Sequence, residues 1–236
     1  MIYVTSDLHG YPLDGFLKLL QSVRFCEDDY LFVLGDVIDR GEYGADLLRW
    51  MSMQPNVQLI LGNHEAMMLS CKFVLDEVTE ESLLKMLANQ KTWETWQFNG
   101  AAPTLSGLRK ILQEEPDVFE GIWEYVQDAP CYETVETDAG EFILVHAGLE
   151  NFQEDRPLDD YAVAELLWAR PDRNARYFTD GKVVIFGHTP AEFLQPESKG
   201  KIIKTPTWIC IDPGVALGNK PCLLRLDDLQ EFYLDD

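Results

Sequence analysis

The sequence predicts an α/β fold, and three observations carry that prediction. Runs of Val, Ile, Leu and Phe that stop at glycine recur along the chain, as in Tyr30-Leu31-Phe32-Val33-Leu34-Gly35 and Val183-Val184-Ile185-Phe186-Gly187. Continuous apolar runs of this length are strands covered on both faces. Between the first two runs, Leu13, Phe16, Leu17 and Leu20 fall at i, i+3, i+4 and i+7, the spacing of an amphipathic helix lying on a sheet. All four histidines stand at the end of such a run, in Asp7-Leu8-His9-Gly10, Gly62-Asn63-His64-Glu65, His146-Ala147-Gly148 and Gly187-His188-Thr189. Open α/β sheets keep their sites at that edge, just past the carboxyl ends of the strands.

The elements follow in order. The strand leading to Asp7, the helix from Leu13 and the strand at Tyr30 form a βαβ unit, continued by a helix over Gly44–Met53 and a strand over Val57–Leu61. From Glu65 to about Ala129 the periodicity is helical throughout. We read 65–129 as a helical cap that shapes a substrate groove, with a plain core-covering bundle as the other reading. Strands return at Tyr132–Thr137, Glu141–Val145, Lys182–Phe186, Thr207–Ile211, Pro221–Leu226 and Glu231–Leu234. The last two, joined through Asp227 and Asp228, suggest a terminal hairpin. Asn151–Pro157 and Ala191–Thr205 read as loops, and the acidic tail of Asp227, Asp228, Glu231, Asp235 and Asp236 as a solvated edge. Residues 1–236 are expected to form a single domain.

Composition narrows the function classes. The net charge is −22, from 19 Lys and Arg against 41 Asp and Glu, which repels phosphate backbones and anionic lipid, so neither nucleic acid nor a membrane is an expected partner. The five cysteines are dispersed, without C-x-x-C spacing, and fit a reducing cytoplasm. No leader pattern precedes the first strand, and no apolar stretch approaches the ~18 residues of a span. A cysteine phosphatase needs Arg six places after its thiolate, but those places hold Phe32, Glu77, Thr137, Ala216 and Asp228. Neither G-x-S-x-G nor G-x-x-x-x-G-K-[ST] occurs.

What remains is imidazole, carboxylate and amide oxygen gathered at strand ends, enough to hold two transition-metal ions. Two ions ~3.5–4 Å apart can clamp a phosphoryl group, and a pair so close needs a bridging carboxylate. Asp36, in the middle of the series, is the best candidate. Asp39 and Arg40 follow closely, a carboxylate free of the metals and a guanidinium fork for a phosphate. Asn63 and His64 are adjacent, so one is expected to bind metal and the other to do acid–base work.

These elements resemble the metallophosphoesterase superfamily and, within it, the phosphoprotein phosphatases, particularly the compact bacterial and phage-type serine/threonine enzymes. The matching elements are Asp7-Leu8-His9-Gly10, Gly35-Asp36-Val37-Ile38-Asp39-Arg40-Gly41, Gly62-Asn63-His64-Glu65, His146-Ala147-Gly148 and Gly187-His188-Thr189. Leu166-Leu167-Trp168-Ala169-Arg170-Pro171 and, less closely, Trp96-Gln97-Phe98-Asn99-Gly100 are similar to further family elements. Ser6 stands where the family usually has Gly, and Asp212-Pro213-Gly214 where Asp-Thr-Gly is usual.

The resemblance implies a mixed β-sandwich flanked by helices. It implies that Asp7, His9 and Asp36 hold one divalent metal and that Asp36, Asn63, His146 and His188 hold a second. His64 protonates the leaving oxygen, oriented by Asp39, while Arg40, Arg170 and Asn63 face the substrate. Manganese is the preferred metal, with iron and zinc as the other choices. The expected activity is hydrolysis of phosphoserine and phosphothreonine, with phosphotyrosine as an extension, in proteins or peptides by a metal-bridging hydroxide. The alternative is hydrolysis of diadenosine tetraphosphate, or another small phosphoester, on the same scaffold. Asp39-Arg40 and Glu65 lean toward the protein phosphatase. The third reading, an inactive phosphopeptide-binding module, conflicts with the intact ligand and acid positions.

Overall fold

A computed structural model describes residues 1–234, so Asp235 and Asp236 of the acidic tail lie outside the described residues. In chain order the elements are β1 (Ile2–Thr5), α1 (Leu13–Ser22), β2 (Tyr30–Val33), α2 (Gly44–Ser52), β3 (Val57–Leu59) and α3 (Asn63–Ser70). They continue as α4 (Glu80–Ala88), α5 (Gln90–Phe98), α6 (Ala102–Glu114), α7 (Pro116–Gln127), β4 (Tyr132–Thr137), β5 (Gly140–Val145) and α8 (Val163–Leu167). The chain closes through β6 (Val183–Phe186), α9 (Ala191–Leu194), β7 (Ile203–Lys204), β8 (Trp208–Cys210), β9 (Cys222–Arg225) and β10 (Gln230–Tyr233).

The strands form two mixed five-stranded sheets, β10-β9-β1-β2-β3 and β4-β5-β6-β8-β7. They pack face to face, and this explains the continuous apolar runs. In the first sheet Val4, Phe32, Leu34 and Ile60 point into the space between the sheets, where they meet Phe142, Leu144, Ile185 and Ile209 of the second. The alternate residues Tyr3, Leu31 and Val33 point outward under the helices, as Ile143, Val145, Val184 and Phe186 do on the far side. The inner strands therefore have two dry faces, while the edge strands β4 and β10 keep exposed residues. The histidine-bearing strand ends come from both sheets, not from one sheet edge, because the sandwich brings β1, β2 and β3 opposite β5 and β6.

β9 and β10 are the expected hairpin, with Arg225 opposite Gln230. The stretch read as a loop over Ala191–Thr205 holds the short helix α9 and the edge strand β7, which pairs antiparallel with β8. Two paired residues leave no periodicity to read. In the helical block, α6 and α7 pack on each other and on α2, burying Leu105, Leu108, Ile122 and Trp123 in the core outside the first sheet. α4 packs on α5 and on the 3-10 turn Lys72–Val74, with Leu84 and Leu87 exposed.

Truncating the inter-sheet layer should be costly. Ile185 has no exposed surface, so Ile185→Ala should lower stability by about 2–5 kcal/mol, as is usual for a buried aliphatic truncation. Urea denaturation is the measurement, and a midpoint unchanged from wild type would mean that the two sheets do not share a core.

Candidate metal centre

Two loops, one after β1 and one after β2, form the floor of the site. Asp7 donates its backbone N–H to Gly35 O (3.1 Å), His9 to Asp36 O (2.9 Å) and Gly10 to Val37 O (2.8 Å). The parallel pairing of β1 with β2 thus continues beyond both strands and sets Asp7, His9 and Asp36 side by side. The backbone bends sharply to achieve this. Asp7, His9, Asp36, Asp39, Arg40 and His188 all have positive φ, from 41° at His9 to 70° at Asp39. Such backbone costs roughly 1–3 kcal/mol per residue and persists only where surrounding contacts impose it.

Two glycines let the remaining loops approach. A Cβ on Gly187 would lie 2.0 Å from Asp7 Oδ2, the oxygen that accepts the His188 N–H at 2.9 Å. A Cβ on Gly62 would lie 2.4 Å from Asp36 N. With Gly62 extended, α3 starts at Asn63, and its first-turn His64 N–H donates to Asp36 Oδ1 (3.1 Å).

The side chains then meet as acceptors. His9 gives its Nδ1 proton to Ile38 O (3.0 Å), leaving the Nε2 lone pair 3.7 Å from Asp36 Oδ2 and 4.0 Å from Asp7 Oδ1. His146 gives its Nδ1 proton to Leu34 O (2.7 Å). Its Nε2 lies 2.9 Å from Asn63 Oδ1, 3.2 Å from His188 Nδ1 and 3.4 Å from Asp36 Oδ1. His188 Nε2 is buried without a partner. Lone pairs thus crowd two adjacent points, and Asp36 presents one oxygen to each. The residue types and their convergence fit two divalent cations.

Burial lowers the pKa of all three imidazoles. His9 and His188 are pushed down to about 3 and His146 is also lowered, so all three stay neutral and able to ligate. Burial acts on Asp36 in the opposite sense, but His146, His64, His9 and His188 together outweigh it and hold its carboxyl below the usual range. Asp7 is raised, first by burial and then by the charges of Asp212 and Asp36. Asp212, buried beside them, is pushed up to about 7 by burial first, with the Asp36 charge adding to it. A buried group of acids that repel one another is an environment that a dication relieves.

His64 differs from the other three histidines. Its Nδ1 proton goes to Asp39 Oδ2 (2.6 Å), and its Nε2 faces the centre, 3.7 Å from Asp36 Oδ2. Burial opposes protonation here, but the charge of Asp36 and the hydrogen bond to Asp39 overcome it and raise the pKa. His64 also converges with His9 and Asp36, their ligand atoms lying within 4.8 Å of one another, and what distinguishes it from the other three histidines is the Asp39 carboxylate at its Nδ1.

Asp39 has no exposed surface, and the helical block secures it. The Trp96 indole N–H donates to Asp39 Oδ2 (2.7 Å), and the Thr104 hydroxyl donates to Oδ1 (2.7 Å) while accepting the Asp39 N–H (2.9 Å). Arg40 N–H adds a bond to Gly100 O (3.1 Å). Sequence reasoning missed Trp96 and Thr104 as contributors; the only signal was the weak family likeness around Trp96. Glu65, also fully buried, accepts backbone N–H groups from Asp36 (2.8 Å), Val37 (2.9 Å) and Ile38 (3.3 Å). Arg40 and Arg170 are exposed at the mouth. Arg40 Nη1 lies 3.0 Å from His9 Nε2 and Nη2 lies 3.3 Å from His64 Nε2, while Arg170 donates to Thr189 Oγ1 (3.4 Å).

A family model for calcineurin-like phosphoesterases matches residues 1–216. The chain belongs to that family. Among curated proteins it is 31% identical over 150 residues to a symmetrical bis(5'-nucleosyl)-tetraphosphatase of Actinobacillus succinogenes, a match covering 62% of this chain and 44% of the relative. A protein of the same name from Buchnera aphidicola is 26% identical over 135 residues, covering 55% and 48%. The matched stretches thus span under half the length of these relatives.

Among solved structures, a candidate diadenosine tetraphosphatase superposes with a TM-score of 0.60 at 17% identity, covering 94% of this chain and 87% of that one. A Saccharomyces cerevisiae serine/threonine phosphatase similar to human PP5 gives 0.59 at 15% identity, covering 100% and 80%. Those two likenesses concern the fold alone.

The expectation of a serine/threonine protein phosphatase is therefore corrected, because the curated relatives are named as nucleotide hydrolases. The structure explains the misreading. Asp39 and Glu65, taken as signs of a protein substrate, are fully buried and hold His64 and the Asp36–Ile38 backbone. They serve a frame that either substrate class can use.

The buried neutral histidines should make a contribution that weakens the metal-free protein in acid. Folded His9 and His188 take up protons only near pH 3, whereas the unfolded chain takes them up below about 6.5, so the unfolded state holds more protons between those values. Stability then rises with pH in this window, by up to about 1.4 kcal/mol per pH unit for each histidine. His64 has the opposite sign: its contribution is complete below 6.5 and is lost as pH rises through its raised folded pKa. The raised acids Asp7, Asp212 and Glu65 act in the same sense as His64, so the test is the difference between two chelator-treated proteins: from pH 6 to pH 4 the urea midpoint should move less favourably in the wild type than in His188→Asn. Equal slopes in the two proteins would contradict the neutral, buried state of His188.

Proposed function

We propose that the chain is a dinuclear metal-dependent hydrolase of dinucleoside tetraphosphates that cuts the polyphosphate symmetrically to give two nucleoside diphosphates. The observation that carries the hydrolytic chemistry is Asp36, which faces both groups of buried acceptors at once. The names of the curated relatives support the substrate class. We read residues 1–236 as one domain with 65–129 as its helical cap.

In this reading Asp7, His9 and Asp36 hold one cation, and Asp36, Asn63, His146 and His188 hold the other, with manganese preferred. When bound, two such ions activate a water and neutralise the phosphoryl group for in-line displacement. Arg40 and Arg170 at the mouth bind phosphate oxygens and orient the chain of phosphates. A P–O bond forms to the water oxygen as the bridging P–O bond breaks. His64 Nε2 gives its proton to the leaving oxygen, while Asp39 at Nδ1 fixes the tautomer and stabilises the charged ring.

Two tests follow. With manganese, diadenosine tetraphosphate should give ADP alone by chromatography, faster than a phosphoserine peptide is cleaved. Products of AMP plus ATP, or preference for the peptide, would overturn the substrate assignment. His64→Asn should reduce hydrolysis of an alkyl phosphomonoester by about 10²–10⁴-fold but hydrolysis of the dinucleotide less, because a diphosphate leaves without full protonation. Trp96→Phe, which deletes the N–H donor to Asp39 and keeps most of the buried ring, should follow the same leaving-group pattern with about a tenfold loss, the worth of one hydrogen bond to a charged group. Equal losses on both substrates would remove His64 as the acid.

A further inference from the structure

We propose that the pocket between α3, α5 and the indole of Trp168 seats one nucleoside of the substrate. This inference rests on the proposed nucleotide hydrolysis and identifies where that site would read the base.

The pocket is continuous with the centre. Asn63, whose amide oxygen faces His146, belongs to its lining together with Met67 one turn further along α3. α5 supplies Lys91, Thr92 and Thr95, and Trp168, just past α8, forms the remaining wall. The Trp168 ring stands edge-on to His188, with centroids 6.1 Å apart and planes at 82°, yet 43% of the residue is exposed. One end of the pocket is therefore the metal centre, and one side is an unstacked aromatic face.

The lining chemistry suits a purine-like ring. An indole face stacks on any base, and Met67 supplies an adaptable apolar contact. Thr95 has committed its hydroxyl proton to Lys91 O (2.8 Å), so it offers lone pairs to a base amino group. Lys91 on the same wall brings an ammonium group to the pocket for the polyphosphate. The volume, about 270 Å³, lies just below the ~300–1,000 Å³ of ordinary ligand sites. It has room for one ring system. A cavity of about 550 Å³ between Lys201, Asn219 and Tyr233 includes no residue of the centre, and neither does one of about 520 Å³ between Leu13, Tyr43 and Trp50. Its one cation, Arg49, is already held by both carboxylate oxygens of Glu115 at 2.6 and 2.7 Å.

Titration calorimetry of the manganese-loaded protein with ADP, and in parallel with inorganic phosphate, tests the pocket without relying on turnover. ADP should bind at least about tenfold more tightly than phosphate, the gain expected from stacking one base. Trp168→Ala, and Thr95→Trp filling the cavity from the other side, should each remove that advantage, while Trp168→Phe should restore most of it. Equal affinities in the wild type, or an ADP advantage that survives both the alanine and the filling variants, overturn the pocket. A protein that cleaves the dinucleotide without any ADP advantage loses the pocket and keeps the reaction. One that shows the advantage and its loss on substitution, yet leaves the dinucleotide intact, keeps the pocket and loses the reaction.

Discussion

The site is organised around a buried carboxylate that must satisfy two crowded sets of lone pairs. Asp36 lies between His9 on one side and His146 on the other, with one oxygen directed to each. Neither imidazole has a proton to offer it, because Leu34 O and Ile38 O take the Nδ1 protons. Acceptors this close repel unless a cation lies between them, and burial forbids water from screening the repulsion. The surrounding architecture is therefore directed at holding together groups that would separate if free. A folded protein that does so has stored binding energy for a cation, which returns it as stability when it binds.

That holding is done largely by backbone and by buried polar side chains. The two loops zip together through main-chain bonds beyond β1 and β2, and left-handed residues aim the side chains inward. Glu65 ties three consecutive N–H groups of the second loop, so Asp36 is fixed from behind as well as in front. Trp96 and Thr104 extend the same logic to Asp39, and through it to His64. The helical block has two physical roles. Most of α6 and α7 completes the core over α2, while Trp96 in α5 and Thr104 in α6 lock the Asp39–His64 pair.

How much of this was legible depended on the range of each interaction. Strand runs, the first two helices and the terminal hairpin are local patterns, and they appear in the structure close to where the sequence places them. The histidines were legible because each stands beside its own strand end, with a glycine that admits the neighbouring loop. Trp96 and Thr104 were not, because they reach Asp39 across 57 and 65 residues of chain and look in sequence like ordinary members of an apolar helix. β7 was invisible for a different reason: two paired residues carry no period. The substrate was misread because Asp39 and Glu65 are near the chemistry in sequence but are turned inward in space. Residues that build a site reveal its reaction better than its specificity, which is set by walls that other segments contribute.

The charge balance imposes a last constraint on any anionic substrate. With a net charge of −22, the protein as a whole repels a polyphosphate, so the attraction must be local. Beyond the Debye length of ~8 Å at physiological salt the acidic surface is largely screened, whereas the mouth of the site carries Arg40 and Arg170 beside two proposed dications. Those ions would offset only four of the negative charges, but they would do so where the phosphates arrive. Such an arrangement gives little long-range steering and strong short-range capture. Affinity is then concentrated at the phosphates, and discrimination among phosphoesters must come from uncharged surface beside them. In the proposed pocket, Trp168, Met67 and Thr95 are surface of that kind.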